Sequence, residues 1–269
     1  NELEKDGWIK RVQGKGSFVK SQFNKKLENM NILYVMPFPD EPTYGNYTAG
    51  LLKVFNRNGM HLHIRNSLDL SNDFMSSIEN LYSGVIYYPQ NSEEALELCS
   101  HLIYQEVPCV MLDKDISGVP FPSVTSDNFQ GSYEVSMHLF KQAIQKPLFL
   151  SSNDLEKHSS VKERFMGFVK AAKEMNVKYD FYQSVALVDM ESDFERLLVD
   201  IHQNNFDGIV CEHDVLAIKF ISESNRYGLP LLPVVGFDNI QAAEMIQPSL
   251  TTVQQNFEEI GEAAANKLI

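Results

Sequence analysis

From Asn31 onward, short apolar runs alternate with longer stretches in which apolar residues recur every three or four positions. The short runs predict buried strands, and the longer stretches predict amphipathic helices. Strands are predicted at 31–37, 61–65, 83–88, 108–113, 147–152, 181–187, 207–212 and 232–237. Helices are predicted at 44–59, 70–81, 92–106, 156–176, 191–204 and 214–227, and the stretch 123–143 runs from a strand into a helix.

This alternation predicts the fold class. Parallel strands need crossover connections, and helical crossovers cover both faces of the sheet. The pattern continues for more than 200 residues, which is longer than one ordinary unit of this kind. The sequence therefore predicts an α/β protein with two doubly wound parallel-sheet lobes.

The candidate site follows from the same pattern, because ligands of doubly wound folds bind at the carboxyl ends of the strands. Residues that follow the predicted strands are rich in carboxylates, amides and aromatic rings, which suits a polyhydroxylated ligand. They are Pro37, Phe38, Asp40, Tyr88, Gln90, Asp113, Asp127, Asn128, Ser151–Asn153, His213, Asp214, Asp238 and Asn239.

Charge is distributed unevenly along the 269 residues. Residues 1–30 hold seven Lys and Arg against four Asp and Glu, a net charge of +3, whereas the remainder holds 16 against 32, a net charge of −16. A body this acidic repels nucleic acid, and a basic N-terminal piece attracts it. Ordinary variation of surface charge is the alternative explanation.

Composition places the chain among ordinary globular proteins, with 43% hydrophobic and 22% charged residues. No apolar run approaches the roughly 20 residues of a membrane span, and no signal peptide precedes the first strand. Cys99, Cys109 and Cys211 lie in apolar contexts without a CxxC pair, which favours core thiols in a reducing compartment. We therefore expect a cytoplasmic protein that does not insert into membranes.

Motifs for catalysis are weak. The loop after the first strand has Gly45 alone in place of GxGxxG, and GKGS at 14–17 precedes a strand, whereas a phosphate loop opens a helix. His61 and His63 have metal-ligand spacing but no further clustered ligands, so exposed strand histidines are expected. Glu212 to Asp214 could serve as a general acid and base or as ligand hydrogen-bonding groups. We predict no catalytic residue, no cofactor and no metal.

The stretch LPVVGFDNIQAAEMIQPSLTTVQQNFEEIGEAAANKLI, residues 232–269, contains VVGFDN, PSLTTV and a helix that begins with EEIG. In this order they resemble the C-terminal signature of the LacI/GalR regulators, whose sensor domain is similar to periplasmic sugar-binding proteins. VTSDNFQGSYEVSMHLF, SSVKERFMGFVKAAKE and IVCEHDVLAIKFI match the same family in order. The resemblance covers about 31–269 and implies an effector cleft between two lobes.

The resemblance also implies an effector-binding set. Arg164 corresponds to the family's arginine, whose guanidinium would hold two ring hydroxyls, and Asp238 would be a bidentate acceptor. His213-Asp214 replaces the family's Asn-Asp, a departure that bears on which effector is bound. The remaining expected contacts are Asp127, Asn128, Gln255 and Phe257, with Phe38 and Tyr44 assigned by position alone.

Four of these side chains could instead have a purely structural role. Arg164 could pair with Glu163 or Glu156 on a helix surface, and Asp238 could form a turn after its strand. Asn128 could cap its helix, and Phe257 could be an ordinary core residue.

Residues 3–19, LEKDGWIKRVQGKGSFV, resemble the end of a GntR-type winged-helix domain: a last helix, a strand, a basic wing tip and a returning strand. The arabinose repressors of Gram-positive bacteria join such a domain to a LacI-like sensor. Gly14 and Gly16 would permit the tight turn. Lys15 at the tip, with Arg11 and Gln13 beside it, would contact DNA phosphate or the minor groove.

The predicted organisation is a wing at 1–20, a linker at 21–30, one lobe at 31–143 plus 255–269, and a second lobe at 144–254. We predict a homodimeric transcriptional repressor in which a sugar, arabinose or another monosaccharide, changes the affinity for operator DNA. The alternatives are an exported sugar-binding protein of a transport system and a sugar-converting enzyme.

Overall fold

The computed structural model describes residues 9–12, 16–19, 30–37, 46–90, 92–190 and 194–269. Strands β1 (Ile9–Val12) and β2 (Gly16–Val19) pair antiparallel, with Val12 opposite Gly16. This pairing is the predicted hairpin, and Arg11 and Gly16 lie in its strands. The predicted contacts Gln13, Gly14, Lys15, Phe38 and Tyr44 lie outside the described residues.

The first large sheet contains five parallel strands in the order β4-β3-β5-β6-β7. Its strands are β3 (Asn31–Met36), β4 (His61–Asn66), β5 (Gly84–Tyr87), β6 (Cys109–Leu112) and β7 (Ser123–Val124). The helices between them are α1 (Tyr47–Arg57), α2 (Asn72–Met75), α3 (Ile78–Leu81) and α4 (Ser92–Tyr104). Strands β3, β5 and β6 are buried almost throughout, as their continuous apolar runs predict.

The second sheet repeats this arrangement with five parallel strands in the order β12-β11-β10-β8-β9. Its strands are β8 (Pro147–Ser151), β9 (Val185–Leu187), β10 (Gly208–Cys211), β11 (Val234–Asp238) and β12 (Thr251–Gln254). The helices of this lobe are α5 (Asn128–Phe140), α6 (Ser159–Glu174), α7 (Phe194–Gln203), α8 (Asp214–Arg226) and α9 (Gln241–Met245), and α10 (Phe257–Leu268) follows β12 along the chain. The predicted fold class, two doubly wound α/β lobes, is confirmed.

Two predicted elements are shorter in the structure. The helix predicted at 70–81 is broken into α2 and α3 at Ser76 and Ser77, whose hydroxyls donate to the carbonyls of Asn72 and Phe74. The strand predicted at 181–187 begins only at Val185, because residues 181–183 form a turn. Within the described residues, no helix has the length and apolar character to cross a lipid bilayer.

Helix α5 packs against the second sheet, whereas the predicted division assigned it to the first lobe. Its residues Val135, Leu139 and Phe140 share a core cluster with Phe149 and Val210 of that sheet. Helix α10, in contrast, returns to the first sheet. The chain therefore crosses between the lobes at 125–127, before α5, and crosses back at 255–256.

Each lobe contains a pair of helices in backbone contact. A Cβ at Gly50 in α1 would overlap the carbonyl oxygen of Glu258 in α10, and one at Gly261 would overlap that of Tyr47. In the second lobe, a Cβ at Gly167 in α6 would overlap the carbonyl oxygen of Phe129 in α5. Glycine is required at these crossings because the helix backbones leave no space for a side chain.

Candidate ligand-binding site

A cleft of about 910 Å³ lies between the carboxyl edges of the two sheets. Such an edge is where doubly wound folds bind ligands. The first lobe contributes Pro37, Tyr47, Tyr88, Gln90, Asp113 and Lys114, with Gln255 and Phe257 from the second crossing. The second lobe contributes Ser152, Asn153, His158, Ser160, Val161, Arg164, Leu187–Met190, His213, Val215 and Asp238.

Arg164 is 6% exposed and projects from α6 into the cleft. Its Nε donates to Asn128 Oδ1 at 2.8 Å, and its Nη1 donates to the carbonyl oxygen of Glu212 at 2.6 Å. Nη1 also lies 3.5 Å from Asp238 Oδ1, and the guanidinium carbon lies 3.8 Å from the centre of the Phe237 ring. These contacts hold a buried cation in one orientation, so the alternative of a surface ion pair with Glu163 or Glu156 does not describe it.

Asp238 ends β11 and faces Arg164. Gln255 Nε2 donates to Asp238 Oδ1 at 2.6 Å, and Gln255 Oε1 accepts from the hydroxyl of Ser126. Burial raises the pKa of Asp238 to about 6, although Arg164 and His213 oppose this shift. The backbone φ of Asp238 is 119°, a conformation that is rare outside glycine and is found at ligand sites.

Asp127 and Asn128 have structural positions near the cleft but do not line it. Asp127 is exposed and caps α5 by accepting from the Gln130 N–H at 3.0 Å. Asn128 is 1% exposed and holds Arg164 Nε. The predicted alternative, in which Asn128 caps the helix, is therefore wrong: Asp127 is the N-cap of α5, and Asn128 accepts a hydrogen bond from Arg164.

Asp214 is fully buried beneath Asp238. Its carboxylate accepts from the Ile240 N–H at 3.0 Å and from the hydroxyl of Thr252. Burial raises the pKa of Asp214 to about 6. A Cβ at Gly236 would overlap Asp214 Oδ1, so the glycine of VVGFDN provides the space for this carboxylate.

Glu212 is fully buried and accepts four hydrogen bonds from the loop after β8. The donors are Ser151 Oγ at 2.6 Å, Ser152 N at 2.6 Å, Ser152 Oγ at 2.5 Å and Asn153 Nδ2 at 2.9 Å. Burial alone would raise the pKa of Glu212, but His213 and the serine hydrogen bonds lower it below its ordinary value. The side chain is therefore an ionised acceptor at neutral pH.

His213 caps α8 and is engaged at both ring nitrogens. Nδ1 accepts from the Leu216 N–H at 3.1 Å, so the proton of the neutral ring lies on Nε2. Nε2 lies 3.1 Å from Ser152 Oγ and 3.4 Å from Glu212 Oε1. A protonated Nε2 cannot accept the proton of Ser152, so this group lacks the geometry of a nucleophile with its general base.

On the first lobe, Asp113 is 4% exposed and is held by two tyrosines. Tyr47 O–H donates to its Oδ1 at 2.8 Å, and Tyr88 O–H donates to its Oδ2 at 3.2 Å. Burial and the negative charge of Asp113 raise the pKa of both phenols, which remain donors. Phe257 contacts Tyr47 edge to face, with ring centres 5.0 Å apart, so it lines the cleft and also packs against the first-lobe core.

Tyr47 is one of several cleft residues that the sequence analysis missed, together with Lys114 and His158. Position after the first strand selected Tyr44, which lies outside the described residues, whereas Tyr47 occupies the first turn of α1. The usable signal was the helical spacing from Tyr47 to Leu51, Val54 and Phe55, which marks the buried face of this helix.

His158 and Lys114 face each other across the cleft. Burial and the charge of Lys114 together lower the pKa of His158 to about 4, so the imidazole is neutral at pH 7. Its buried Nδ1 has no hydrogen-bond partner within the part of the chain that the structure describes. Lys114 donates to the Gln90 carbonyl at 3.0 Å and lies 5.1 Å from the Tyr88 ring centre.

The described residues contain no group of three or more His, Cys, Asp and Glu side chains able to hold a metal ion. Cys99, Cys109 and Cys211 are buried, and burial raises the pKa of each thiol, to about 11 for Cys99. These cysteines therefore lie in the core as unreactive thiols.

Among the predicted contacts in the described residues, Arg164, Asp238, His213, Gln255 and Phe257 meet in one cleft. The predicted strand-end residues Tyr88, Gln90, Asp113, Ser152 and Asn153 join them. The cleft therefore combines carboxylates, amides and aromatic rings with one fixed guanidinium, a combination that matches the hydroxyls and apolar faces of a sugar.

Comparison with known proteins shows the same fold. Residues 137–269 match a family model described as a periplasmic binding protein-like domain. The crystal structure of the transcription regulator CcpA of Lactococcus lactis superimposes with a TM-score of 0.76 at 18% identity, covering 89% of this chain and 90% of that one. The protein thus has the periplasmic-binding-protein-like fold.

Two curated relatives are regulators. The HTH-type transcriptional regulator RegA of Clostridium saccharobutylicum is 32% identical over 200 residues, which are 71% of this chain and 58% of RegA. The arabinose metabolism transcriptional repressor of Geobacillus stearothermophilus is 24% identical and covers 100% of this chain and 78% of its own length. The chain therefore spans less than two thirds of RegA, and about three quarters of the arabinose repressor.

Proposed function

We propose that this chain is the effector-sensing part of a transcriptional repressor, in which a sugar bound in the interlobe cleft changes affinity for operator DNA. The observation that carries the proposal is the convergence of Arg164, Asp238 and Gln255 from three segments of the chain on one cleft wall. Adjacent hydroxyls of a sugar need donors and acceptors fixed side by side, which this wall provides.

Similarity to an arabinose repressor over the entire chain supports an arabinose-like or other monosaccharide effector. Phe257, which is partly exposed and packs against the buried Tyr47, offers apolar ring surface in the cleft, as a sugar ring requires. Regulation of this kind takes place in the cytoplasm, without a membrane partner and without a cofactor.

The N-terminal hairpin supports a DNA-binding domain of the winged-helix type. Its strands pair in the register of a tight hairpin: Val12 lies opposite Gly16 next to the tip, and Arg11 lies opposite Ser17. In this proposal residues 1–20 form the wing, with Lys15 at its tip, Gly14 and Gly16 at the turn and Gln13 beside the tip, and residues 21–30 form the linker. A homodimer would present two such domains to two half-sites.

The first test is a thermal-shift screen of monosaccharides on this chain, because a ligand that binds the folded state raises the unfolding temperature. We expect at least one pentose or hexose to stabilise it. Asp238→Ala is expected to abolish the shift, because a ligand hydroxyl loses its acceptor. Asp200→Ala, an exposed carboxylate on α7, is the matched control and is expected to retain it.

The second test measures operator affinity of the full-length protein with and without the stabilising sugar. We expect the sugar to change operator affinity in the parent protein and to leave it unchanged in Asp238→Ala. Sugar binding without any effect on DNA would instead support the alternative, an exported sugar-binding protein of a transport system.

A further inference from the structure

Glu212 does not line the cleft, but it is surrounded by residues that do. Ser152, Asn153 and His213 approach its carboxylate, and Arg164 binds its carbonyl oxygen. An isolated buried carboxylate is strongly unfavourable, so four donors aimed at it define the orientation of the loop 151–153. This residue therefore determines which hydrogen-bonding atoms its neighbours present to a ligand.

The first consequence is an acceptor surface. The hydroxyl proton of Ser152 and one amide proton of Asn153 point toward Glu212. The Ser152 oxygen also lies within hydrogen-bond distance of His213 Nε2 and Asn153 Nδ2, which leaves Asn153 Oδ1 as the acceptor available to a ligand. His213 offers no acceptor, because Nδ1 is already engaged by the Leu216 N–H. This part of the cleft wall therefore matches ligand hydroxyl donors.

The second consequence is a negative field. The carboxylates that line the cleft are Asp113, Asp189 and Asp238, and the cations that line it are Lys114 and Arg164. Glu212 adds a further carboxylate directly behind the wall, and Asp214 lies beneath Asp238. A ligand carboxylate entering the cleft would meet more anions than cations, at distances where Coulomb repulsion is appreciable.

Arg164 cannot offset this repulsion in the usual way. A guanidinium binds a carboxylate through two N–H groups on one edge. Its Nε is engaged by Asn128 Oδ1, and its Nη1 is engaged by the Glu212 carbonyl and faces Asp238. Among the contacts of the described residues, only Nη2 remains for a ligand, which suits hydroxyls better than a bidentate carboxylate.

We propose that Glu212 is a positioning and specificity-determining residue that makes the cleft select uncharged sugars over acidic sugars. The inference rests on the proposed function, since it specifies the ligand class of the same cleft. Glu212 acts through Ser152, Asn153 and His213 and does not contact the ligand itself.

The test is isothermal titration of this chain with two stereochemical series of sugars. One is L-arabinose, D-galactose and D-galacturonate, and the other is D-xylose, D-glucose and D-glucuronate; the members of each series share a ring configuration and differ at one substituent. In the series that binds, we expect a neutral member to bind at least about tenfold more tightly than the uronate. The uronate methyl ester, which has a similar shape without the charge, is expected to recover most of the affinity.

Two substitutions separate charge from shape. Glu212→Gln can keep the loop, because its amide oxygen accepts from Ser152 and Asn153 while its NH₂ donates to the Ser151 oxygen. The Ser151 hydroxyl then turns its proton to the Asn153 carbonyl, which lies 2.7 Å away. We expect this variant to reduce the preference over the uronate to below about threefold, whereas Glu212→Asp keeps the charge and the preference. Glu223→Gln is the matched control, because Glu223 is a half-buried carboxylate of α8 that pairs with Arg226 outside the cleft, and it is expected to change neither affinity.

Several outcomes would overturn the inference. Equal or tighter binding of the uronate by the parent chain would do so alone, even if a variant fails to fold. An equal loss of affinity for neutral and acidic sugars in Glu212→Gln would reduce Glu212 to a structural residue. Binding of no sugar in either series would overturn the proposed function and this inference together.

Discussion

The two walls of the cleft each hold an aspartate, but with different hydrogen-bonding partners. Each wall contains an aspartate with a positive backbone φ at the carboxyl end of a strand: Asp113, at 66°, directly follows β6, and Asp238, at 119°, is the last residue of β11. In the first lobe, two neutral phenols hold the carboxylate, and an aromatic cluster surrounds it. In the second lobe, a buried guanidinium and an amide hold it, with two further carboxylates nearby.

The two walls differ in how far each hydrogen bond depends on a single shared side chain. Asp113 needs only hydrogen bonds from Tyr47 and Tyr88, so losing one phenol leaves the other. In the second lobe Arg164 is shared by Asn128, Glu212 and Asp238, so one side chain supports several polar groups. The charged wall should therefore be more sensitive to a single substitution than the aromatic wall.

The largest expected effect is that of Arg164→Ala. It leaves Asp238 buried without its cation and the Glu212 carbonyl without its donor, so the free energy of unfolding should fall by about 3 to 5 kcal/mol. Urea denaturation at pH 7 measures this loss. Arg226→Ala, an exposed arginine paired with Glu223, is the control and should stay within about 0.5 kcal/mol. A loss below about 1 kcal/mol would contradict the shared role of Arg164.

The second effect is a pH dependence of stability that arises from the charged wall. The pKa of Asp214 is raised from 3.8 to about 6, so the folded state binds more protons than the unfolded state between these values. The stabilisation is full below pH 4 and is lost as the pH rises through 6, which corresponds to about 2 to 3 kcal/mol for a shift of this size. The pKa of Glu212 is lowered, so this residue affects stability in the opposite direction: its stabilisation is lost only as the pH falls below 4.5, outside the range of the Asp214 effect.

Urea denaturation at several values between pH 5 and pH 7 measures the combined effect of Asp214 and Asp238, because the pKa of each is raised to about 6. Asp214→Asn should flatten the decline of the unfolding free energy over this range, while Asp200→Asn at the surface should preserve it. The slope is the measured quantity, because the asparagine also loses one of the two hydrogen bonds from Ile240 and Thr252. An unchanged slope would show that Asp214 titrates normally.

The smallest effect is expected on the aromatic wall. Tyr47→Phe keeps the ring contacts with Tyr88 and Phe257 and removes only the hydrogen bond to Asp113, so the free energy of unfolding should fall by about 1 kcal/mol. Tyr227→Phe, a partly exposed tyrosine on the second lobe, provides the control. If Tyr47→Phe proved as damaging as Arg164→Ala, the contrast between the two walls would be wrong.

Hydrophobic patterning was enough to predict most of the fold. Buried strands such as β5 and β10 are short apolar runs with few alternatives, so their order and class follow directly from the sequence. The break between α2 and α3 did not follow, because Ser76 and Ser77 bind helix carbonyls through contacts that the apolar spacing does not reveal. The assignment of α5 failed similarly, since either sheet could have covered its apolar face.

The position of the site and many of its lining residues were predicted, but the hydrogen bonds that orient those residues were not. Strand-end positions selected Asp113, Ser152 and Asp238, because parallel strands bring their carboxyl ends together. Glu212 was considered as a general acid or base or as a ligand hydrogen-bonding group, but not as a support for the loop 151–153. Nothing in the sequence EHD indicates that its partners come from that loop, about 60 residues earlier. Long-range hydrogen bonds of this kind depend on tertiary structure and leave no local pattern.

The glycine contacts within each lobe have a mechanical consequence. With α1 against α10 at Gly50 and Gly261, and α5 against α6 at Gly167, neither helix pair can slide without backbone collision. Any rotation of one lobe against the other must then be absorbed by the few dihedral angles at 125–127 and 255–256. Gln255 belongs to one of these segments, accepts a hydrogen bond from Ser126 of the other, and donates one to Asp238 in the cleft. A ligand that moves Asp238 would therefore act directly on the two segments about which the lobes rotate.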